Sequence, residues 1–346
     1  MPASESICIL RLSAIGDCCH TLAVLRAIQQ QKPDTALTWI IGATEARLMS
    51  GLDGIELLVY DKKTGRSGRR QLAAEVANRE FDVLLNMHAS WRANQVSRVI
   101  RAKRRIGFDR ARARDFQWLF TDERIAPQYQ PHVIDGLFAF AEQVGVRRQA
   151  LDWRLPLAAP DYSHAEQFDM DRPLLLISPC SSDRSRNFRN WPAARFVDVA
   201  RFAAEQHNAQ IVVTGGPSTL EMEYAHDIAN GVDEVVNLVG KTSLKELAAL
   251  IDRADAVICP DSGPAHIATA VDTPVVGLYA TSNPGRTGPS QRADWIVNQY
   301  PQACRQYLSK SVDELRWGQR VRHPDAMALI TVAAVTEKLN RLLGSG

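Results

Sequence analysis

The sequence predicts an α/β fold made of two consecutive domains, each a parallel sheet covered by helices. The chain has 346 residues, which is long for a single hydrophobic core. Short apolar runs alternate with helix-forming stretches through both halves, as they do in sheets whose parallel strands are joined by helices. The alternation stops over residues 155–172, a polar stretch that contains Pro156 and Pro160. That stretch is therefore the predicted boundary.

The N-terminal half begins with a buried-type strand, a turn with one glycine, Gly16, and a helix. This strand–turn–helix unit is Rossmann-like, but a single glycine is not the G-x-G-x-x-G dinucleotide fingerprint. A polar basic loop is predicted over 61–70. The predicted strands are 7–12, 37–41, 55–60, 83–87 and 105–108. The predicted helices are 21–31, 43–50, 71–79, 92–100 and 132–144.

The C-terminal half repeats the pattern after a new buried-type strand at 174–178. Further strands are predicted at 210–214, 235–238, 256–259 and 274–278. Helices are predicted at 193–207, 219–230, 244–251, after the turn 261–266, and at 326–343. We expect an acceptor-binding Rossmann-like domain over 1–160, a nucleotide-sugar domain over 171–325 and a C-terminal helix, 326–346, that packs back across the domain junction.

Composition and charge predict a cytoplasmic protein. The formal net charge of +2 is close to neutral, although the segment between Arg92 and Arg114 is locally basic. The six cysteines show no C-x-x-C spacing and are expected to be buried thiols. The first strand leaves no room for a signal peptide, and no apolar run reaches the ~18 residues of a membrane span.

The turn at residues 261–266, DSGPAH, is the strongest candidate for a ligand site. It follows an apolar strand and precedes a helix. The start of a helix presents unpaired backbone N–H groups and the positive end of the helix dipole, so it can bind a phosphate. The same turn also reads as a plain Asp cap, with Pro264 in the first turn of the helix. The two interpretations are compatible.

Four motifs in order resemble those of the bacterial lipopolysaccharide heptosyltransferases. They are SAIGD at 13–17 continuing into HTL at 20–22, RNWP at 189–192, TGGP at 214–217, and DSGPAH at 261–266. The resemblance implies the GT-B architecture, in which two Rossmann-like domains face each other across a cleft. It implies an inverting, metal-independent transfer from ADP-L-glycero-D-manno-heptose to the Kdo sugar of the lipid A inner core, with no other cofactor. The acceptor is then Kdo–lipid A or its phosphorylated form.

Asp17 is the candidate catalytic base. An inverting transfer needs one group to take the proton of the acceptor hydroxyl, and a carboxylate at the end of the first strand is suitably placed. The alternative is a purely structural role, in which Asp17 only caps the following helix. Spacing alone does not decide between a catalytic base and a helix cap. The resemblance favours the catalytic role.

The donor site is predicted from three stretches of the C-terminal half. Hydroxyls of Ser181, Ser182 and Ser262, the backbone of Gly263, and the charge of Arg189 are expected to hold the diphosphate. Arg184 and Arg186 are alternatives to Arg189. Asp261 would repel a diphosphate, so it is expected to accept hydrogen bonds from the loop, His266 or a sugar hydroxyl. Glu221, or else Glu223, is expected at the ribose, and Lys241 near the adenine.

The acceptor is expected to bind the basic stretches of the N-terminal half, because it carries phosphates and carboxylates. The candidate residues are Lys62, Lys63, Arg66, Trp91, Arg92 and Arg110. Nucleic acid is disfavoured because no stacking platform or zinc motif accompanies the charge. We expect a monomer that touches the inner face of the inner membrane without spanning it. A transferase or epimerase for another nucleotide sugar, and a non-catalytic nucleotide-binding protein, remain alternatives.

Overall fold

A computed structural model of the chain describes residues 5–181 and 187–344. The chain forms two compact units, Met1–Pro156 and Leu157–Gly346. Each unit contains one parallel sheet with six strands among the described residues. The predicted fold class, α/β with two parallel-sheet domains, is thereby confirmed. No helix within the described ranges is both long and apolar enough to cross a bilayer.

The N-terminal unit follows the predicted alternation. Its strands are β1 Ser6–Leu10, β2 Ala36–Gly42, β3 Ile55–Tyr60, β4 Phe81–Asn86, β5 Ala102–Gly107 and β6 Glu123–Arg124. Its helices are α1 Ile15–Gln31, α2 Ala43–Met49, α3 Gly65–Glu75, α4 Trp91–Ser97 and α5 Val133–Glu142. A short 3₁₀ turn covers Gln117–Leu119.

The C-terminal unit repeats this plan. Its strands are β7 Leu174–Ile177, β8 Gln210–Val213, β9 Val236–Asn237, β10 Ala256–Pro260, β11 Val275–Tyr279 and β12 Val297–Asn298. Its helices are α6 Ala193–His207, α7 Thr219–Gly231, α8 Leu244–Arg253, α9 Gly263–Ala270, α10 Pro284–Thr287, α11 Tyr300–Leu308 and α12 Val332–Leu343. Further 3₁₀ turns lie at Ala159–Tyr162, Ala293–Trp295, Val312–Glu314 and Met327–Leu329.

Both sheets have the same doubly wound strand order. The order is β3-β2-β1-β4-β5-β6 in the first unit and β9-β8-β7-β10-β11-β12 in the second. The chain therefore turns from one side of the sheet to the other between β1 and β4, and again between β7 and β10. Ligands of open α/β sheets bind at the carboxyl ends of the strands that flank such a switch point. The topology thus selects one candidate site in each unit.

Three predicted elements differ from the structure. Helix α1 begins at Ile15 rather than 21, so Asp17 lies within its first turn. Helix α3 begins at Gly65, so Arg66 is helical and not part of a loop. The last helix begins at Val332 rather than 326. Glycines near the first two starts, Gly16 and Gly65, are weak helix formers and hid those beginnings. In the third case a 3₁₀ turn at Met327–Leu329 precedes the helix, so the predicted start was too early.

The C-terminal core explains why Trp191 lies next to the predicted donor loop. Its indole is fully buried, meets Phe196 edge-on at 5.0 Å, and donates Nε1–H to the carbonyl of Ile330 at 3.0 Å. Helix α12 packs on the same core through Val335 and Leu339. Trp191 therefore anchors the end of the loop to the body of its own unit. All six cysteines are buried and free, as predicted.

Candidate active site

Asp17 is the third residue of α1, at the switch point of the first sheet. Its carboxylate accepts a hydrogen bond from the backbone N–H of Ala14 at 3.3 Å and forms an ion pair with Arg11. It is partly exposed, whereas Arg11 is mostly buried. Asp17 therefore caps α1, which is the alternative to a catalytic role. Its carboxylate is also accessible to solvent near the carboxyl end of the first strand, where a catalytic base is expected.

Arg11 is a site residue that the sequence analysis missed. Its guanidinium donates to the carbonyl of Met87 at 2.5 Å, and its own carbonyl accepts from the indole of Trp39 at 3.1 Å. A side chain at Gly42 would place its Cβ 2.2 Å from the carbonyl oxygen of Leu12. These contacts fix the segment between β1 and α1, so Asp17 is held by packed neighbours. The only signal in the sequence was a basic residue directly after the first strand.

His20 belongs to the same motif and also lies in α1. Its ring is buried and meets His132 and Trp153 edge-on, with centroids 5.8 Å and 5.3 Å away. All three belong to the N-terminal unit. His20 therefore packs inside the N-terminal unit and stabilises the position of α1.

His88 follows β4 and completes the polar cluster around Arg11. Its Nδ1 accepts the backbone N–H of Leu12 at 3.2 Å, which places the proton of the neutral ring on Nε2. Burial, followed by the nearby charge of Arg11, lowers the pKa of His88 to about 3. The ring is consequently neutral near pH 7 and does not serve as a cationic group.

Lowering the pH from 7 to 5 is expected to cost about 2 kcal/mol of unfolding free energy through His88 alone. Its pKa is lower in the folded state than in the unfolded chain, so the unfolded chain binds the proton first. The contribution is complete above the unfolded pKa near 6.5 and is lost as the pH falls toward about 3. Urea titrations at both pH values measure it.

The matched variant for this titration is His88→Asn, whose amide oxygen can still accept from Leu12. The variant should lose less stability than the wild-type protein between pH 7 and 5. Equal losses in the two proteins would contradict the assignment.

The six candidate acceptor residues divide into two groups. The positive charges of Lys62 and Arg92 both contribute to lowering the pKa of His88, after burial and Arg11. Lys62 also pairs with the buried Glu45 at 3.4 Å. The other four members are exposed: Lys63, Arg66, Trp91 and Arg110.

The segment Arg92–Arg114 is locally basic by its charge count. In the structure, several of its cations are paired within the fold and do not form one continuous cationic surface. Lys103 pairs with Asp82 at 2.7 Å, and Arg104 pairs with Glu123 at 2.7 Å. The guanidinium of Arg105 donates to three backbone carbonyls, and Arg112 pairs with Asp109. These four cations hold the fold together, which leaves the exposed arginines as the candidates for ligand binding.

The second candidate site lies at the switch point between β7 and β10. Ser262 is the N-cap residue of α9, and Pro264 occupies the first turn of that helix. The hydroxyl oxygen of Ser262 and Asp261 Oδ2 are both buried at this helix start. A hydroxyl and the free backbone N–H groups of a first helical turn can donate to an anion, so the turn is a candidate ligand site.

Two guanidinium groups surround the carboxylate of Asp261. Arg189 donates to the main-chain carbonyl of Asp261 at 2.6 Å, and its Nη1 lies 4.0 Å from Oδ2. Arg320 lies 3.8 Å from the same oxygen. Asp261 therefore does not act alone beside an anion. It holds together two cations, of which Arg320 was missed because the sequence gives no hint that it folds back to this turn.

The predicted serine pair is only partly described. Ser181 is buried, its N–H donates to Asn190 at 2.9 Å, and its hydroxyl donates to Asn187 at 2.8 Å. Asn187 also accepts the backbone N–H of Arg189 at 3.2 Å. Ser181 thus shapes the loop that presents Arg189. Ser182, Arg184 and Arg186 lie outside the described residues.

Glu221 closes the turn after β8. Its two oxygens accept from the N–H of Gly216 at 2.8 Å and from the hydroxyl of Ser218 at 2.6 Å. Glu223 is exposed and makes no such contact. Lys241 is also exposed, with its ammonium on the carbonyl of Asn237 at 2.7 Å. The carboxylate of Glu221 is the one held in a fixed orientation.

His266 lies in the first turns of α9 and is partly buried. It follows the Ser262 cap on the same helix, at the switch point between β7 and β10. The structure thus brings Arg189, Asp261 and Ser262 to one place in the C-terminal unit.

Comparison with known proteins identifies the family. Glycosyltransferase family 9 (heptosyltransferase) matches residues 69–314. The chain belongs to glycosyltransferase family 9. It is also 43% identical to the lipopolysaccharide core heptosyltransferase OpsX of Haemophilus influenzae, over 98% of this chain and 97% of that protein. The resemblance found in the four motifs is confirmed, and the protein is a glycosyltransferase of the heptosyltransferase family.

Solved structures of family members share the fold. A glycosyltransferase of family 9 from Veillonella parvula superposes with a TM-score of 0.83 at 22% identity, covering 100% of this chain and 99% of that one. The E. coli heptosyltransferase WaaC, solved with ADP, gives 0.75 at 18% identity, covering 98% and 100%. At these identities the likeness establishes the fold, and the GT-B class implied by the motifs is confirmed.

Proposed function

We propose that this heptosyltransferase moves L-glycero-D-manno-heptose from ADP-heptose to the Kdo region of the lipopolysaccharide inner core. The observation that carries the proposal is the pair of arginines on Asp261 at the start of α9, in a chain of family 9. The name of the Haemophilus influenzae relative, a lipopolysaccharide core heptosyltransferase, supports the substrate class. The E. coli relative was solved with ADP and with ADP-2-deoxy-2-fluoro heptose, which supports the donor.

The diphosphate of the donor binds at the start of α9. Arg189 and Arg320 bring two positive charges and Asp261 one negative charge, which leaves +1 at the turn. The backbone N–H of Gly263, the hydroxyl of Ser262 and the helix dipole add donors on the same side. Fixed donors of this kind stabilise the negative charge that grows on the departing ADP, so the proposed reaction proceeds without a metal ion.

The nucleoside is held by neighbouring turns. Glu221 is fixed by Gly216 and Ser218, and its carboxylate oxygens can accept additional hydrogen bonds from the ribose hydroxyls. Lys241 lies in the turn after β9, where backbone groups can line the adenine. His266 on α9 is placed to contact the sugar or the phosphates.

The acceptor reacts by inversion at C1 of the heptose. The acceptor hydroxyl oxygen forms the new bond to C1, and the bond from C1 to the phosphate oxygen of ADP breaks, with its electron pair leaving on ADP. Asp17 takes the hydroxyl proton. The ion pair with Arg11 and the hydrogen bond from Ala14 fix the orientation of the carboxylate. A group held in this way avoids reorganisation during the proton transfer.

The acceptor itself is anionic, being Kdo–lipid A or its phosphorylated form. Lys62 and Arg92 lie close enough to His88 to lower its pKa, so their positive charge reaches the cluster that holds Asp17. Charges of this kind attract phosphates and carboxylates. We propose that the enzyme works as a monomer, in the cytoplasm, at the inner face of the inner membrane where a lipid-anchored acceptor is found.

A transfer assay tests the proposal directly. The purified chain is incubated with ADP-heptose and with defined Kdo–lipid A acceptors, with and without phosphate on Kdo, and the products are read by mass spectrometry. One added heptose on a Kdo–lipid A acceptor is the expected result. Thermal shifts with ADP, UDP and GDP identify the nucleotide. Stabilisation by UDP or GDP alone, or no product with any acceptor, would overturn the proposal.

A further inference from the structure

Four large apolar side chains stand out from the surface of the N-terminal unit. Trp91, Phe116, Trp118 and Leu119 are each more than half exposed. We refer to them as the aromatic surface. Isolated exposed apolar residues are ordinary, but a group with two tryptophans and a phenylalanine is not, because such side chains bury large areas when they can. A solvent-exposed apolar surface of this kind indicates that a binding partner covers it.

Three of the four residues are forced outward by a buried neighbour. Gln117 is fully buried, its Nε2 donates to the carbonyl of Asn86 at 2.8 Å, and its Oε1 accepts the N–H of Phe108 at 3.2 Å. Because Gln117 faces the interior, the residues on either side of it project away from the unit. The rings of Phe116 and Trp118 lie 6.5 Å apart, so they form one projecting pair.

Trp91 is joined to this segment by two hydrogen bonds. Its backbone N–H donates to the carboxylate of Asp115 at 2.8 Å, and the side chain of Asn94 donates to the carbonyl of Asp115 at 2.8 Å. Asp115 and Phe116 have φ of 53° and 59°, which is unfavourable for a residue as bulky as phenylalanine. The fold therefore holds Phe116 outward in a fixed geometry, and docking would require little further ordering.

The charge around the aromatic surface is positive. Arg92, Arg110 and Arg114 are all exposed, and within the described residues none of them pairs with a carboxylate. Asp115 is the acid closest in sequence, and its carboxylate accepts the N–H of Trp91. Tryptophan, phenylalanine and leucine interleaved with arginine match the interface of an anionic bilayer, where rings enter the headgroup region and cations meet the phosphates.

We propose that the aromatic surface docks this enzyme onto an anionic lipid bilayer, with Trp118, Phe116 and Leu119 inserting between headgroups. The inference deepens the proposed function, because a lipid-anchored acceptor gives the docking its use. The docking itself needs neither donor nor acceptor. A protein partner would be expected to bring acidic side chains to the arginines.

Vesicle flotation with the full chain tests the docking. The vesicles contain phosphatidylglycerol and phosphatidylcholine, with phosphatidylcholine alone for comparison, and no glycolipid acceptor. The wild-type protein should float with the anionic vesicles and be released as salt rises. The triple variant Phe116→Ser, Trp118→Ser, Leu119→Ser should bind at least about tenfold more weakly, since each side chain loses its apolar insertion. A matched control replaces two exposed methionines, Met170→Ser and Met222→Ser.

A second measurement separates docking from catalysis. Transfer is assayed with the acceptor in detergent micelles and with the acceptor in anionic vesicles. The triple variant should keep wild-type turnover in micelles and lose about tenfold in vesicles, in proportion to its weaker binding. If the wild-type protein has no activity in either form, the proposed function fails while flotation still decides the docking. Equal flotation of triple variant and wild type, or self-association through these residues without vesicles, would overturn the docking proposal.

Discussion

Replacing Asp17 with asparagine is expected to lower kcat by a factor on the order of 10² to 10⁴ and to leave the affinity for ADP unchanged. Asparagine cannot take the proton of the acceptor hydroxyl, so the attacking oxygen must lose it to water. The proposed ADP site lies in the C-terminal unit, whose residues this change leaves unaltered. Single-turnover transfer with ADP-heptose measures the rate, and calorimetry with ADP measures the affinity.

Asparagine distinguishes the catalytic role of Asp17 from its role as a helix cap. Its side-chain oxygen can still accept from the N–H of Ala14, so the start of α1 keeps its hydrogen bond while the ion pair with Arg11 is lost. Asp53→Asn, an exposed aspartate in the same unit, is the matched control and should behave as the wild-type protein. Near-normal turnover of the Asp17 variant would show that this carboxylate is not the catalytic base.

The sequence placed Asp17 in the segment that follows the first strand, where the structure has it, but could not show what surrounds it. The turn after a first strand was recognisable from the apolar run before it and from Gly16. The helix was predicted to begin later because cysteines and a glycine are weak helix formers. Arg11 and His88 come from two different strands that only the sheet order brings together. Contacts of that kind depend on topology, which local patterns do not encode.

The proposed donor turn, residues 261–266, shows the same division. Its strand, tight turn and helix were predicted from residues 256–270 and are present, and the sequence raised an acid beside a diphosphate as a conflict. The resolution of the conflict required Arg320, which reaches Asp261 from a distant part of the chain. A count of charges also could not show which cations of the segment Arg92–Arg114 are paired, because the partners of Arg104 and Lys103 lie on other strands.

Replacing Arg189 with alanine is expected to weaken ADP binding by about 2 kcal/mol or more, roughly thirtyfold in Kd. Arg189 is mostly buried, with 15% of its side chain exposed, and it is held on the carbonyl of Asp261 at 2.6 Å. Its loss removes a charge from the diphosphate and leaves the carboxylate of Asp261 with only Arg320. The remaining acid then repels the ligand. Arg320→Ala should have a smaller effect, because that side chain is 44% exposed and its charge is screened.

A double-mutant cycle with Asp261→Asn identifies the repulsion. In the wild-type background this change frees two arginines from their shared carboxylate and loosens the turn, so we expect a modest loss of ADP affinity. In the Arg189→Ala background the same change removes the unbalanced charge and should restore part of the affinity. Opposite signs in the two backgrounds, measured by calorimetry with ADP, are the expected outcome. Additive losses would mean that Asp261 does not act through the arginines, and the charge arrangement proposed for the diphosphate would have to be abandoned.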